Sequence, residues 1–264
     1  MNLSTPDISI ISSLWLEEDK LLRRCIESII GQTFKNFEWI IVDDGASLSN
    51  LELIKSFNDP RIKIIKNRKN LGLTVSLNIA AQVSGGKYIA RMDTDDYCLS
   101  ERLEKQLKFM QEKKDYVLCG CFYHEEILGV RKKPFVKLIS SFYDIKKDIA
   151  TFNPVAHPSW FFRKDIFVKL GGYDESFRYA QDYELLGRFL KCGKICNLEE
   201  VLLVRNISSD RISSRQNREQ LLFSLRVRMK LFIQSTSKFS SFVSIFKSAV
   251  KYLFHPLFYK ELSS

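Results

Sequence analysis

The first hundred residues alternate between two hydrophobic periodicities, and this alternation limits the fold more than any other feature of the chain. The apolar run Ile8–Ile11 predicts a buried parallel strand, and apolar residues at helical spacing over 21–30 predict a helix after it. The same pattern predicts further strands and helices at 37–42, 51–57, 61–65, 73–83 and 87–92. Strands and helices joined by short connections are typical of an open, doubly wound, mainly parallel α/β sheet.

Acidic residues directly follow two of these predicted strands. Asp43 and Asp44 end the second strand, and Asp93, Asp95 and Asp96 follow the fourth. Ligands of such sheets bind beyond the carboxyl ends of the strands, so both acid groups are expected at one ligand site. Neighbouring carboxylates repel each other, and a hard divalent cation such as Mg²⁺ or Mn²⁺ offsets that repulsion. A solvated acidic turn that caps the next helix is the alternative interpretation of the second group.

Several classes of protein are disfavoured by what the sequence lacks. No apolar run reaches the roughly 18 residues that a membrane-spanning helix needs, and residues 1–6 are too polar for a signal peptide. We therefore expect a cytoplasmic protein, either soluble or attached to a membrane surface. The six cysteines lack the spacing of a zinc knuckle and are expected to be buried, reduced thiols. There is no glycine-rich phosphate loop of the Rossmann or Walker type.

The positive charge of the chain is concentrated near its C-terminal end. Of the net charge of +10, residues 205–264 carry +8, from eleven Lys and Arg against three acids. Apolar residues recur there at helical spacing, namely Phe239, Phe242, Val243, Phe246, Val250, Leu253, Phe254 and Leu257. Serine and lysine occupy the opposite side, so such a helix can lie on an anionic membrane, or its apolar stripe can pack onto the main domain. Nucleic acid is not expected, because the aromatic residues do not alternate with the lysines as a stacking platform requires.

A series of short motifs occurs in a fixed order between residues 7 and 205. The motifs are Ile8–Ser12, Gln32–Phe34, Phe37–Gly45, Asn70–Leu73, Gly85–Asp96, His157–Ser159, Gly171–Asp174 and Gln181–Leu185. Each is weak alone, but in this order they resemble the family 2 glycosyltransferases, the inverting enzymes of the GT-A fold that build bacterial surface polysaccharides. The resemblance implies a GT-A domain over residues 1–205, followed by a basic amphipathic helical tail over 206–264.

Besides Asp93 and Asp95, the resemblance assigns donor-binding roles to five residues. Ser12 and Ser13 would line the nucleoside pocket, and Asn70 belongs to the same donor-binding set. Asp44, with Asp43 beside it, would accept a hydrogen bond from a uracil ring, because a carboxylate can read a ring N–H. The alternative for Asp44 is a turn acid that holds its own loop.

The same resemblance identifies the metal and the base. Asp93, Asp95 and Asp96 correspond to the DxD motif, in which Asp93 and Asp95 would bind the donor, and Asp95 and Asp96 the Mg²⁺ or Mn²⁺. Asp182 would be the catalytic base, since inversion requires one in-line attack and one carboxylate to remove the acceptor proton. A surface helix acid is the alternative for Asp182. His157 would lie near the acceptor pocket, and a structural role is equally consistent with a histidine before proline.

These roles imply a metal-dependent inverting transferase for hexosyl or N-acetylhexosaminyl groups. The donor would be a nucleotide sugar, with a UDP-sugar expected, and the acceptor a glycan hydroxyl in O-antigen, capsule or lipooligosaccharide synthesis. A lipid-linked acceptor would suit a tail that docks on the inner face of the cytoplasmic membrane.

Two other functions compete with this one. A sugar-nucleotide nucleotidyltransferase is expected to carry a basic, glycine-rich loop near the first strand, and residues 12–16 contain none. A non-catalytic nucleotide-sugar-binding relative is expected to have lost at least one of Asp44, Asp95, Asp96 or Asp182, and all four are present.

Overall fold

The computed structural model describes residues 5–133, 138–207 and 218–253. The strands in this part of the chain are β1 (Ile8–Leu14), β2 (Phe37–Asp43), β3 (Ile62–Lys66), β4 (Tyr88–Arg91), β5 (Tyr97–Cys98), β6 (Tyr116–Ile127), β7 (Val130–Lys132), β8 (Phe161–Arg163) and β9 (Lys194–Asn206). The α-helices are α1 (Asp19–Ile30), α2 (Leu48–Ser56), α3 (Leu73–Val83), α4 (Arg102–Glu112), α5 (Phe142–Asp148), α6 (Lys164–Lys169), α7 (Gln181–Phe189), α8 (Arg218–Phe232) and α9 (Lys238–Leu253). A short 3₁₀ turn at His157–Ser159 precedes β8.

The strands form one sheet in the order β3-β2-β1-β4-β8-β6-β9-β5, with β7 paired to β6 beside this path. Strands β3, β2, β1 and β4 are parallel, and Ile8 of β1 lies between Phe37 and Tyr88 of its two neighbours. Strand β8 runs antiparallel between β4 and β6, and β6 and β9 are again parallel. The predicted doubly wound, mainly parallel α/β sheet is confirmed.

The order of the strands reverses between β1 and β4. The chain builds β2 and β3 on one side of β1 and then returns to place β4 on the other side. Crevices at such a reversal, beyond the carboxyl ends of the strands, are where ligands bind in this class of sheet. Asp43 is the last residue of β2, and Asp93 follows β4 by two residues. Both acid groups therefore lie at the edge where the carboxyl ends of the parallel strands meet.

The sheet is packed between two hydrophobic layers. Successive side chains of a strand point to opposite faces, so Ile10 and Ile11 belong to different layers although both are fully buried. Helices α1 and α4 cover the first layer, with Cys25 and Leu107. Helices α3, α7 and α8 cover the second layer, where Leu231 of α8 reaches the core. The second layer thus joins the C-terminal helices to the rest of the fold.

The structure tests the prediction that the six cysteines are buried, reduced thiols. Five of the six cysteines are buried and all are free, as expected, but Cys192 is exposed, so the prediction is wrong for that residue. It lies in the turn between α7 and β9, where the chain crosses the surface.

In the described residues, no helix combines the length and the apolarity that crossing a bilayer requires. Phe254 and Leu257 of the predicted stripe lie outside the described residues.

Candidate active site

Three carboxylates come together directly after β4. One ligand oxygen from each of Asp93, Asp95 and Asp96 lies within 4.8 Å of the others. Asp96 is fully buried and its Oδ1 accepts a hydrogen bond from the backbone N–H of Asn206 at 2.9 Å, whereas Asp93 and Asp95 are half-buried. Oxygen ligands gathered in this way are the donor set that Mg²⁺ and Mn²⁺ prefer. The residues present therefore fit a hard divalent cation.

Arg91 is a buried cation beside this cluster. It is the last residue of β4, it is 2% exposed, and its Nη2 forms an ion pair with Asp93. Within the described parts of the chain, its Nε and Nη1 have no hydrogen-bond partner. Burying guanidinium donors without partners is costly, so these donors favour an anionic or polar ligand at this edge of the sheet. Sequence reasoning gave Arg91 no role, although an arginine that ends an apolar strand is an unusual residue.

Asp182 lies in the first turn of α7. Its Oδ2 accepts a hydrogen bond from Nδ2 of Asn153 at 2.8 Å. Burial raises the pKa of Asp182, the positive charge of Arg91 opposes that rise, and the negative charge of Asp93 adds to it. Asp182 is therefore close enough to the end of β4 to interact electrostatically with both residues. Asn153 is a second residue that sequence reasoning missed, because nothing in its local sequence marks it.

His157 is part of an aromatic cluster with Trp160 and Tyr173. Its Nε2 shares a hydrogen bond with the hydroxyl of Tyr173 at 2.7 Å, and its ring packs edge-on against Trp160 with 4.9 Å between the centroids. Burial, together with the charge of Arg91, holds the pKa of His157 well below its usual value, so the ring is neutral. These contacts suit the structural interpretation of His157, and an acceptor contact stays a prediction.

Asp43 closes the turn that follows β2. Its Oδ1 accepts hydrogen bonds from the backbone N–H groups of Gly45 at 3.0 Å and Ala46 at 2.8 Å. This is the local bond by which aspartate stabilises a tight turn. The buried carboxylate of Asp43 thus shapes the loop, and direct contact with a donor stays a prediction.

Asp44 holds a second loop in place. Its Oδ1 accepts hydrogen bonds from Nδ2 of Asn67 at 2.8 Å and from the N–H of Leu71 at 2.7 Å, and its Oδ2 accepts one from the N–H of Gly72 at 2.8 Å. Gly72 precedes α3 with a φ of 87°, a conformation that glycine adopts readily. Negative charge is favourable at a helix N-terminus, so Asp44 stabilises the start of α3. The contacts seen are those of a turn acid, and the hydrogen bond to uracil stays a prediction.

The other donor-binding candidates differ in exposure. Ser12 is fully buried, and its Oγ donates to the carbonyl of Met92 at 2.8 Å and accepts from Nε1 of Trp39 at 3.0 Å. The hydroxyl of Ser12 therefore joins β1 to its neighbours. Ser13 is half-buried at the end of β1, and Asn70 is exposed in the loop held by Asp44.

A basic groove adjoins the loop that Asp44 holds. Its volume is about 510 Å³, and it is lined by Lys66, Asn67, Arg68, Lys69 and Leu71. Three cationic side chains along one groove favour an anionic ligand. This groove was not predicted from the sequence. The three cations are interrupted there by Asn67, and such a segment is typical of a solvated loop.

The sequence model for glycosyl transferase family 2 matches residues 9–171 of the chain. The chain belongs to this family. An uncharacterized glycosyltransferase of Methanocaldococcus jannaschii is 34% identical over 260 residues, which cover 96% of this chain and 89% of that protein. The amylovoran biosynthesis glycosyltransferase AmsE of Erwinia amylovora is 32% identical over 234 residues, which cover 86% of this chain and 87% of that protein. The family predicted from the ordered motifs is confirmed.

Solved glycosyltransferases share the fold. Residues 1–349 of TarS from S. aureus, in complex with UDP-GlcNAc, match 94% of this chain and 73% of their own, with a TM-score of 0.71 and 16% identity. The mannosyltransferase PcManGT from Pyrobaculum calidifontis, in complex with GDP-Man and Mn²⁺, matches 94% of this chain and 70% of its own, with a TM-score of 0.64 and 15% identity. At these identities the likeness concerns the fold, and the predicted GT-A fold is confirmed.

Proposed function

We propose that this family 2 glycosyltransferase is a metal-dependent, inverting enzyme that moves a sugar from a nucleotide sugar, preferably a UDP-sugar, to a hydroxyl of a glycan. The observation that carries the proposal is the cluster of Asp93, Asp95 and Asp96, with Asp182 close enough to interact electrostatically with its first member. Transfer of a sugar from a diphosphate to a hydroxyl requires a cation-binding group and a proton acceptor in the same crevice.

Asp95 and Asp96 would hold the Mg²⁺ or Mn²⁺, and Asp93 with Asp95 would contact the donor. The Mn²⁺ bound by the structurally similar P. calidifontis enzyme supports a cation at this type of site. When bound, the cation supplies positive charge that stabilises the diphosphate as it leaves. Arg91 keeps Asp93 in position through their ion pair, and its buried Nε and Nη1 have no hydrogen-bond partner among the described residues.

Asp182 would remove the proton from the acceptor hydroxyl as that oxygen attacks the anomeric carbon. Its hydrogen bond from Asn153 fixes the orientation of the carboxylate. Burial raises its pKa, which makes it a better proton acceptor once it is ionised. The charge of Arg91 opposes this rise in the pKa of Asp182 and so favours the ionised form that a base requires.

The donor nucleoside would bind at the ends of β1 and β2. Ser12, Ser13, Asp43, Asp44 and Asn70 form this proposed set, in which Asp43 and Asp44 shape the two loops and the exposed Asn70 is free to approach the donor. A UDP-sugar is favoured because TarS, which has the same fold, binds UDP-GlcNAc.

The acceptor would be a glycan of a surface polysaccharide, carried on a lipid. The relative AmsE takes part in amylovoran biosynthesis, which supports a polysaccharide product. We further propose that residues 1–205 form the catalytic domain, that residues 206–264 form a basic tail, and that the enzyme works on the cytoplasmic face of the membrane. His157 would support the acceptor pocket.

The test is nucleotide release from a panel of UDP-, GDP- and dTDP-sugars, with Mn²⁺, with Mg²⁺ and with EDTA. Cation-dependent release of nucleoside diphosphate from UDP-sugars is expected, whereas exchange of pyrophosphate would indicate a nucleotidyltransferase.

Replacing the proposed base provides the second arm of this test. Asp182→Asn should lower transfer by about 10²- to 10⁴-fold and leave UDP-sugar binding unchanged. Asp165→Asn is the matched control, because Asp165 is an exposed acid in the first turn of α6. Full activity of Asp182→Asn would contradict the assignment of the base.

A further inference from the structure

Helix α9 exposes its largest apolar side chains to solvent. Phe239 is 82% exposed, and Phe242 and Phe246 are each 61% exposed. Leu253 is exposed as well, and the spacings of three, four and seven residues place all four on one side of the helix. We call these four residues the aromatic face. Each phenylalanine that stays in water forgoes the favourable free energy of burying its ring.

The opposite side of α9 is polar, and it packs onto the protein. Ser241 is fully buried, and the Oγ of Ser244 donates to the carbonyl of Thr151 at 3.2 Å. Arg228 of α8 donates to the hydroxyls of Ser244 and Ser248. Helices on the surface of a globular protein bury the apolar side and expose the polar one. Helix α9 exposes the aromatic face instead, so the alternative in which the stripe packs onto the main domain does not hold for these four residues, whereas Val243 and Val250 of the stripe are half-buried.

Positive charge borders the aromatic face. Lys238 lies one residue before Phe239 and Lys247 one residue after Phe246, so both stand about 100° around the helix from the face, on opposite sides. Both lysines are exposed, although Nζ of Lys238 also donates to the carbonyls of Phe232 and Ile233, and residues 205–264 carry a net charge of +8. The complementary partner is therefore apolar where it meets the phenylalanines and anionic where it meets the lysines.

We propose that the aromatic face of α9 docks into the interface of a lipid membrane that contains anionic headgroups. A bilayer surface offers acyl chains for the phenylalanines and phosphates for the lysines at the depth that a helix lying in the interface reaches. A second copy of the chain is disfavoured, because two surfaces of the same strong positive charge would repel each other.

The purpose of this docking rests on the proposed function, since it would bring the crevice to lipid-linked acceptors. The attachment itself is independent of the sugar transferred. Ser235 and Ser244 link the turn before α9 and the helix itself to the main-chain carbonyls of Lys147 and Thr151, so α9 is fixed to the segment that leads to Asn153. Membrane contact at α9 would therefore hold the catalytic domain at a defined distance from the bilayer.

The test is co-sedimentation of the full chain with vesicles of phosphatidylcholine alone, or with about one third phosphatidylglycerol. Binding is expected to the anionic vesicles and to weaken with added salt. The triple variant Phe239→Ser, Phe242→Ser, Phe246→Ser should lose binding by about 100-fold or more, because three apolar anchors are removed. The variant Lys238→Gln, Lys247→Gln should lose binding to anionic vesicles by about tenfold or more.

The matched control replaces three exposed apolar residues elsewhere, with Leu48→Ser, Leu128→Ser and Val168→Ser. This control should bind vesicles as the unaltered chain does. Circular dichroism and urea unfolding establish that each variant is folded, and substitution of the exposed phenylalanines and of the control residues is expected to leave both unchanged. Equal binding by the phenylalanine variant and the control would overturn the proposal.

Two further outcomes are decisive. Failure of the unaltered chain to bind anionic vesicles overturns the proposal, and a dimer in sedimentation velocity that the phenylalanine variant abolishes would assign the face to self-association instead. Nucleotide release, measured without vesicles, tests the proposed function separately. Release without vesicle binding would refute the docking alone, and vesicle binding without release would refute the transfer alone.

Discussion

The acid groups after β2 and after β4 have the same residue type and the same position at the edge of the sheet, but they have different surroundings. Asp43 and Asp44 accept hydrogen bonds from N–H groups of their own and the next loop. One ligand oxygen from each of Asp93, Asp95 and Asp96 lies within 4.8 Å of the others, so these carboxylates are crowded together even though Asp93 pairs with Arg91 and Asp96 accepts a hydrogen bond from the N–H of Asn206. Carboxylates paired with N–H donors stabilise a loop, whereas carboxylates crowded together favour a cation. Whether an acid at the end of a strand stabilises a loop or favours a cation therefore depends on the hydrogen-bond donors and carboxylates around it.

Among substitutions in the two acid groups, the largest effect is expected from removing a member of the crowded group. Asp95→Asn should lower metal-dependent nucleotide release by about 100-fold or more, because a ligand of the stabilising charge is lost. Its unfolding free energy should stay the same or rise, since the substitution relieves repulsion between like charges. Release assays across a Mn²⁺ titration, with urea unfolding alongside, measure both effects. If nucleotide release by this variant is undiminished at low Mn²⁺, Asp95 is not a ligand of the metal.

The converse substitution tests the paired group. Asp44→Asn should lower the unfolding free energy by about 1–3 kcal/mol, because an amide cannot accept hydrogen bonds at both oxygen positions and leaves the N–H of Leu71 or Gly72 without a partner. Urea unfolding measures this loss, with Asp165→Asn as the reference. A variant that keeps its stability but binds UDP-sugars poorly would show that Asp44 serves the nucleoside more than the loop.

The smallest effect is a shift in pH dependence. Burial raises the pKa of Asp182, and a base must be ionised, so activity should fall with decreasing pH at a higher pH than an ordinary aspartate would give. Arg91→Met removes a charge that lowers this pKa, so the acidic limb of kcat should move to higher pH. Arg91→Lys keeps the charge and should leave the limb in place. If the acidic limbs of the kcat profiles of the two variants coincide, the charge of Arg91 does not affect the pKa of Asp182.

The first half of the fold could be predicted from the sequence because its strands are short, apolar and regularly spaced. Strand β9 was not predicted, and the physical reason is a bulge. Leu198 pairs with Cys121 and Val201 with Phe122, so Glu199 and Glu200 fall outside the regular ladder. Two acids in the middle of a strand interrupt the alternation on which sequence interpretation depends.

The candidate site was predicted in part for a similar reason. Acids at strand ends are visible in the sequence, and so is a motif such as that around Asp182. The partners of these groups come from distant segments, as Asn153 does for Asp182, and no local pattern marks them. In α9 the periodicity of the sequence predicted two faces, but it did not predict which face packs onto the protein. That choice depends on hydrogen-bond acceptors in distant segments, such as the carbonyl of Thr151.

The exposed thiol at Cys192 gives this enzyme a natural attachment point for a spectroscopic reporter. Burial raises the pKa of the thiols of Cys25, Cys98, Cys119, Cys121 and Cys196, which keeps them protonated and shielded from maleimides. Cys192 follows the last turn of the helix whose first turn carries Asp182. A single fluorophore can therefore be coupled to the unaltered chain, at the far end of that helix, to follow substrate-induced movement without engineering away any cysteine.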